Sequence, residues 1–149
     1  MGVLIACFCM AWAWGACAQV VGDGGVLTVG GTSYRLWGLV VPSETTACAG
    51  NWKAGAIANH DLRNLVAGKL VDCEYRGHDN DGMTLAVCRA DGRDIGADMV
   101  RAGLGWSRTL QTHEYVLEEG LAMARLKGVH AHACRLPPQL INRPPVTPQ

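Results

Sequence analysis

Arg35 is the residue best placed for chemistry in this chain. It opens the run Arg35-Leu36-Trp37-Gly38-Leu39-Val40-Val41-Pro42-Ser43 as its only charge. A guanidinium at the mouth of a buried strand offers a planar fork to a phosphate or a carboxylate. The competing reading is a structural charge paired with a nearby acid. Four acids, Asp23, Glu44, Asp79 and Asp81, are of the type that holds a hard cation or activates a water. The plainer reading makes them turn and cap residues, and it is preferred because about 1 Å of misplacement already spoils catalytic geometry. His130, His132 and Cys134 alternate, so an extended segment carries all three on one face, and zinc accepts that set. A fourth ligand is missing and Cys134 has a competing use, so no metal site is assigned.

That competing use is a disulfide. Met1 to Ala18 carries no charge, Val3 to Trp14 is an apolar run too short to span a bilayer comfortably, and Ala16-Cys17-Ala18 has the small residues of a cleavage site. The segment 1–18 reads as a secretory signal peptide, with the mature chain starting at Gln19; the alternative is an uncleaved N-terminal anchor. Removing Cys7, Cys9 and Cys17 leaves Cys48, Cys73, Cys88 and Cys134. An even number in an exported domain, periplasmic or secreted, points to disulfides, with three connectivities open. Lys69 to Tyr75 and Met83 to Cys88 read as strands on either side of turn residues Arg76 to Gly82. A hairpin centred between Asn80 and Asp81 sets Cys73 opposite Cys88, and opposed residues of a non-hydrogen-bonded pair lie roughly 4.5 Å apart between Cα atoms. Cys48 and Cys134 then pair by exclusion. In the chain-entropy model each bridge contributes roughly 3–5 kcal/mol.

The elements that must position these residues are short. Val26 to Val29 lies between glycine pairs and reads as a strand, followed by a second that runs from Ser33 or Tyr34 to Val41. Leu36 to Val41 is almost wholly apolar, so both of its faces should be covered, and Pro42 stops it. Asn51 to Ala67 reads as a helix with Trp52, Ile57, Leu62, Leu65 and Val66 along one face and Gly68 as its stop. After the hairpin, Asp94 to Ala102 is a short helix capped by Asp94, with Ile95, Met99 and Val100 inward. Thr112 to Lys127 is the last helix, with Tyr115, Leu121, Ala122 and Leu126 inward; its acids come early and its bases late, as the helix dipole favours. Residues 135–149 are Pro-rich and read as a loose tail after a domain spanning 19–134. His60 and His113 read as helix-surface or cap residues, and Trp37, Trp52 and Trp106 as core rather than as a platform for stacking bases.

Thirteen basic and 13 acidic side chains among 149 residues leave no net charge. Proteins that bind polyanions usually carry a basic excess, because neutralising phosphates supplies most of the non-specific affinity. Tight nucleic-acid binding is therefore not expected. The residues name no partner and leave open a protein or another extracellular ligand, and the expectation is a monomer with no transmembrane helix in the mature chain.

The run from Arg35 to Ser43 resembles the signature strand of the staphylococcal nuclease-like (thermonuclease-like) family, Arg-Leu-x-Gly-Ile-Asp-x-Pro-Glu. Arg35, Leu36, Gly38 and Pro42 match it. Asp79-Asn80-Asp81-Gly82-Met83-Thr84-Leu85-Ala86-Val87-Cys88 is similar to the family's Asp-Arg-Tyr-Gly-Arg-x-Val-Ala-x-Cys. The segment from Met99 to Gly105 resembles its Met-Val-x-x-Gly-x-Ala, and Tyr115, Glu119 and Ala122 have the spacing of its Tyr-x-x-x-Glu-x-x-Ala helix. The resemblance covers roughly residues 20–130 and implies an α+β, mainly β fold: a five-stranded OB-type barrel with three helices.

Active members of that family use calcium, which takes 6–8 oxygen ligands and prefers carboxylates among them. A carboxylate assists the attacking water, and two arginines stabilise the charge that builds on phosphorus. The positions equated with this set are occupied here by Gly25 and Val40 for the metal-binding acids, Ser43 for the catalytic Glu and Met83 for the second Arg. Arg35 alone remains. The resemblance thus implies an exported nuclease-like domain that has lost calcium-dependent phosphodiesterase activity and acts as a binding or accessory module, without a metal cofactor. The alternative from another class is an active nuclease, still using calcium, with a site rebuilt from Asp23 and Glu44. Nuclease-like relatives also occur among genes for exopolysaccharide production, and an accessory role there is compatible with export.

Overall fold

The computed structural model describes residues 19–141; the segment read as a signal peptide and most of the Pro-rich tail lie outside them. The chain is mixed α+β, with short strands dominant. The strands are β1 (Val20–Val21), β2 (Val26–Val29), β3 (Thr32–Leu36), β4 (Leu39–Val40), β5 (Val71–His78), β6 (Thr84–Ala90), β7 (Arg93–Asp94) and β8 (Trp106–Ser107). The helices are α1 (Ala54–Val66), α2 (Ile95–Arg101), α3 (Val116–Ala124) and the single turn α4 (Pro138–Ile141), which falls within the segment expected to be a loose tail. One sheet runs β1-β2-β3-β6-β5 with β7 on β6, and β4 pairs separately with β8. All ladders are antiparallel except β3 with β6, which sets Arg35 beside Leu85. Among the described residues no ladder closes this sheet into a barrel. It is strongly curled nevertheless: β2 and β5, with two strands between them, approach within 8 Å.

The single strand expected from Tyr34 to Val41 is two strands. Gly38 turns the chain between β3 and β4 with φ +78°, and a Cβ there would lie 2.6 Å from Thr112 and 2.9 Å from the Tyr115 ring. Only glycine meets both demands. Its N–H donates to Gln111 Oε1 (2.9 Å), and its carbonyl accepts from Arg108 N (2.7 Å), so the break is fixed from both sides. Leu36, Leu39 and Val41 are buried while Trp37 and Val40 stay half-exposed; the run is not covered on both faces as its apolar composition suggests.

Leu27, Leu36, Leu62, Val66, Ile95 and Met99 lie in one hydrophobic core beneath the sheet. The helix expected over 51–67 begins at Ala54, because residues 49–51 form a 3-10 turn and Trp52 bridges back to Cys48. Asp94 caps α2, its carboxylate accepting from Ala97 N at 3.0 Å. Cys73 sits opposite Cys88 and the two form a disulfide, with Cα atoms 4.0 Å apart. A bulge between Tyr75 and Gly77 carries β5 further into the turn than its residue types indicate. Cys48 and Cys134 form the second disulfide. Disulfides of this kind fit an oxidising compartment outside the cytoplasm. No helix among the described residues is long and apolar enough to cross a membrane.

The last helix departs most from its sequence reading. It is shorter, and Leu121 and Leu126 face solvent, 38% and 70% exposed, where both were expected inward. Tyr115 and Ala122 are buried as expected. The inward positions between them go to acids: Glu118 pairs with Arg101 (3.1 Å), and Glu119 accepts a hydrogen bond from buried Ser107.

Candidate functional site

A cleft of about 680 Å³ opens where β3, β4 and β8 meet. Pairing of Val40 with Trp106 lays β4 and β8 side by side along it, and both residues line it. Arg35 and Asp81 line it too, Arg35 from β3 and Asp81 from the hairpin turn. Arg108, directly after β8, also contributes, as do Arg135 to Gln139. That last segment is brought here by the Cys48–Cys134 bridge and by Ala49 N donating to the His132 carbonyl (2.9 Å).

Arg35 is engaged. Its guanidinium forms an ion pair with Asp79 and stands 3.9 Å from Asp81. Asp79 is itself fixed, since its other oxygen accepts from Asp81 N and Met83 N, both at 2.9 Å. Asp79 therefore organises the hairpin turn and holds Arg35 at once, the structural pairing weighed against ligand binding from the sequence. Met83 is not a lining residue; its contribution is that backbone donor.

The positions equated with carboxylates are filled by other chemistry. Gly25 is buried with φ +77°, and a Cβ there would come within 2.6 Å of Val41 Cγ2. An acid at this position must move Val41 as well as adopt a strained backbone. Val40 lines the cleft with methyl groups, and the Ser43 hydroxyl is paired with Thr46 Oγ1 at 2.9 Å. The two replacement acids diverge. Asp23 lines the cleft, and its carboxylate accepts from the Glu44 backbone N–H. Glu44 turns its own carboxylate away to the buried Asn59 of α1 and is not a lining residue. Among the described residues no group of three or more His, Cys, Asp or Glu side chains is placed to hold a metal ion. Calcium, with its need for several charged oxygens, does not fit this donor set.

The cleft instead offers cations without internal partners. Among the described residues neither Arg108 nor Arg135 makes an ion pair. Sequence reading passed over both. Arg108 has no local motif. Arg135 follows Cys134, so the exclusion argument that ties Cys134 to the loop after Pro42 already carried Arg135 to this place.

The zinc-type set separates. Cys134 is in its disulfide, His132 stacks on Trp52 (4.5 Å between ring centres, 10° between planes), and His130 lies against Glu119. Burial lowers the His130 pKa, opposed by the Glu119 charge 3.9 Å away, and its Nε2 has no hydrogen-bond partner. Trp106 is core-like in burial while Trp37 and Trp52 are half-exposed. Tyr115 donates to the Asp94 carboxylate (3.1 Å), and desolvation, followed by that negative charge, raises its phenol pKa far above the ordinary value. No protein-family model matches this sequence, and no characterised protein is similar enough to it to supply a function.

Proposed function

We propose that the chain is an exported, staphylococcal nuclease-like OB domain that has lost calcium-dependent phosphodiester hydrolysis and serves as a binding or accessory module. The observation that carries this reading is the cleft at Val40 and Ser43: a methyl surface and a paired hydroxyl stand where acids are required, next to a Gly25 that Val41 keeps small. Losing even one preorganised group that stabilises developing charge typically costs a hundredfold or more in rate. Here the cation's ligands and the base are absent together, and the remaining Arg35 is tied to Asp79. The parallel β3–β6 pairing and the curl that brings β2 towards β5 support the barrel part of the proposal. Arg108 and Arg135 suit the cleft to a ligand bearing carboxylate, sulfate or phosphate groups.

The test is the purified protein with denatured DNA and excess calcium, together with its melting temperature with and without the ion. The expected outcome is no cleavage above background and no thermal shift. A bound ion at about 100 times its Kd would stabilise the folded state by about 2.7 kcal/mol, which a melting curve resolves. Chelator-sensitive cleavage that disappears in Arg35→Ala would overturn the proposal and restore the rearranged nuclease.

A further inference from the structure

Helix α3 is amphipathic with its apolar side outward. Val116, Leu117, Gly120, Leu121, Met123 and Ala124 are all exposed, Leu117 at 70% and Met123 at 54%. At 100° per residue they occupy one continuous face. The acids Glu118 and Glu119 point the other way, into contacts with Arg101 and Ser107. This is the reverse of what a surface helix of a lone domain presents, and a contiguous apolar patch of this kind marks an interface.

We infer that this face pairs with the same face of a second copy, antiparallel, about a two-fold axis beside Gly120. The middle of the face supports close approach: a Cβ at Gly120 would meet nothing within 4 Å, and Ala124 lies one turn along the same stripe. The charges at the ends select the occupant and the direction. Glu114 precedes the helix, Arg125 and Lys127 follow it, and all three are exposed with no ion pair among the described residues. Helix α3 runs from Val116 to Ala124 with Tyr115 and Arg125 as its caps, so in an antiparallel pair centred on Gly120 the end that carries Glu114 lies over the end of the other copy that carries Arg125 and Lys127. The acidic end of each copy then faces the basic end of its partner. Parallel pairing would bring like charges together. A two-fold interface requires self-complementarity of this kind, with each residue type meeting its opposite. Nine helical residues present less than the roughly 800 Å² per partner of a standard interface, so the dimer is weak and depends on concentration.

Sedimentation velocity of the full chain over a concentration series is the test, with far-UV circular dichroism confirming that each variant is folded. Leu117 is exposed, so Leu117→Glu leaves the fold intact; it is expected to move the monomer–dimer midpoint at least tenfold higher. Glu114→Lys should weaken association severalfold, and Glu114→Lys with Arg125→Glu and Lys127→Glu should recover it. That recovery is specific to antiparallel pairing. A chain that stays monomeric at every concentration overturns the inference. So does association indifferent to Leu117→Glu, or a charge exchange that fails to restore it. A monomer that sediments with phosphatidylcholine–phosphatidylglycerol vesicles through Leu117 also overturns it and assigns the face to a lipid surface instead.

Discussion

Helices α2 and α3 pack against each other, start from the same Asp94–Tyr115 hydrogen bond and have similar apolar spacing, yet they face opposite ways. In α2, Ile95, Met99 and Val100 are buried, and Asp98, at the edge of that face, pairs with Arg93 and Arg101. In α3 the larger apolar side chains are outside, while Ala122 and the acids Glu118 and Glu119 lie on the inner side. What differs is the surface each helix meets. The inner side of α2 meets the apolar core, whereas the inner side of α3 meets Arg101, Ser107 and His130. Periodicity defines a face; the neighbours decide whether that face is buried.

The sharpest way to break this comparison is to truncate each helix. Met99→Ala in α2 removes a fully buried side chain and should cost about 2–5 kcal/mol by urea denaturation. Asp94→Ala removes a helix cap and leaves the buried Tyr115 hydroxyl without its acceptor. The combined loss should be about 2–4 kcal/mol, read from the same curves.

The polar underside of α3 gives a pH signature. Burial holds the folded-state pKa of His130 below 6.5, so the unfolded chain binds a proton more readily. The stability this group contributes is fully present above pH 6.5 and is lost as pH falls through the folded pKa. His130→Gln should therefore lose less stability than the parent chain on acidification, measured as the shift in urea midpoint between about pH 8 and about pH 5. A parallel decline in both proteins would remove His130 from the account. The smallest effect should come from Leu117→Ala, measured on dilute protein where association is negligible: within about 0.5 kcal/mol. A loss as large as that of Met99→Ala would mean α3 buries the face described as open.

The same contrast explains what the sequence makes legible. The Cys73–Cys88 pairing follows from turn residues and strand alternation, both local, and so does the Asp94 cap. The bulge after Tyr75 has a local mark in Gly77, at φ +128°, which the turn reading of Arg76 to Gly82 absorbs. The break at Gly38 depends on Thr112 and Tyr115, over seventy positions later, and the orientation of α3 depends on Arg101 and Ser107. At the cleft, missing acids at Gly25, Val40 and Ser43 can be read directly, but the engagement of Arg35 by Asp79 requires the parallel β3–β6 ladder to bring distant segments together. Arg135 follows from the Cys48–Cys134 pairing, whereas Arg108 enters only once β8 has paired with β4.

The Cys48–Cys134 bond gives the backbone the topology of a clasped ring, with the Cys73–Cys88 bond as a second clasp within it. A protease that nicks the chain once between residues 48 and 134 releases no fragment. Two exposed segments inside the ring, the turn around Asn80 and the run from Leu110 to Glu114, are open to such a cut or border open positions. The nicked molecule gains only the mass of one water and migrates as one species until a reductant opens the clasp, or both clasps for a cut near Asn80. Because the cleft lies beside that clasp, a cut elsewhere on the ring leaves both of its sides joined by a covalent bond.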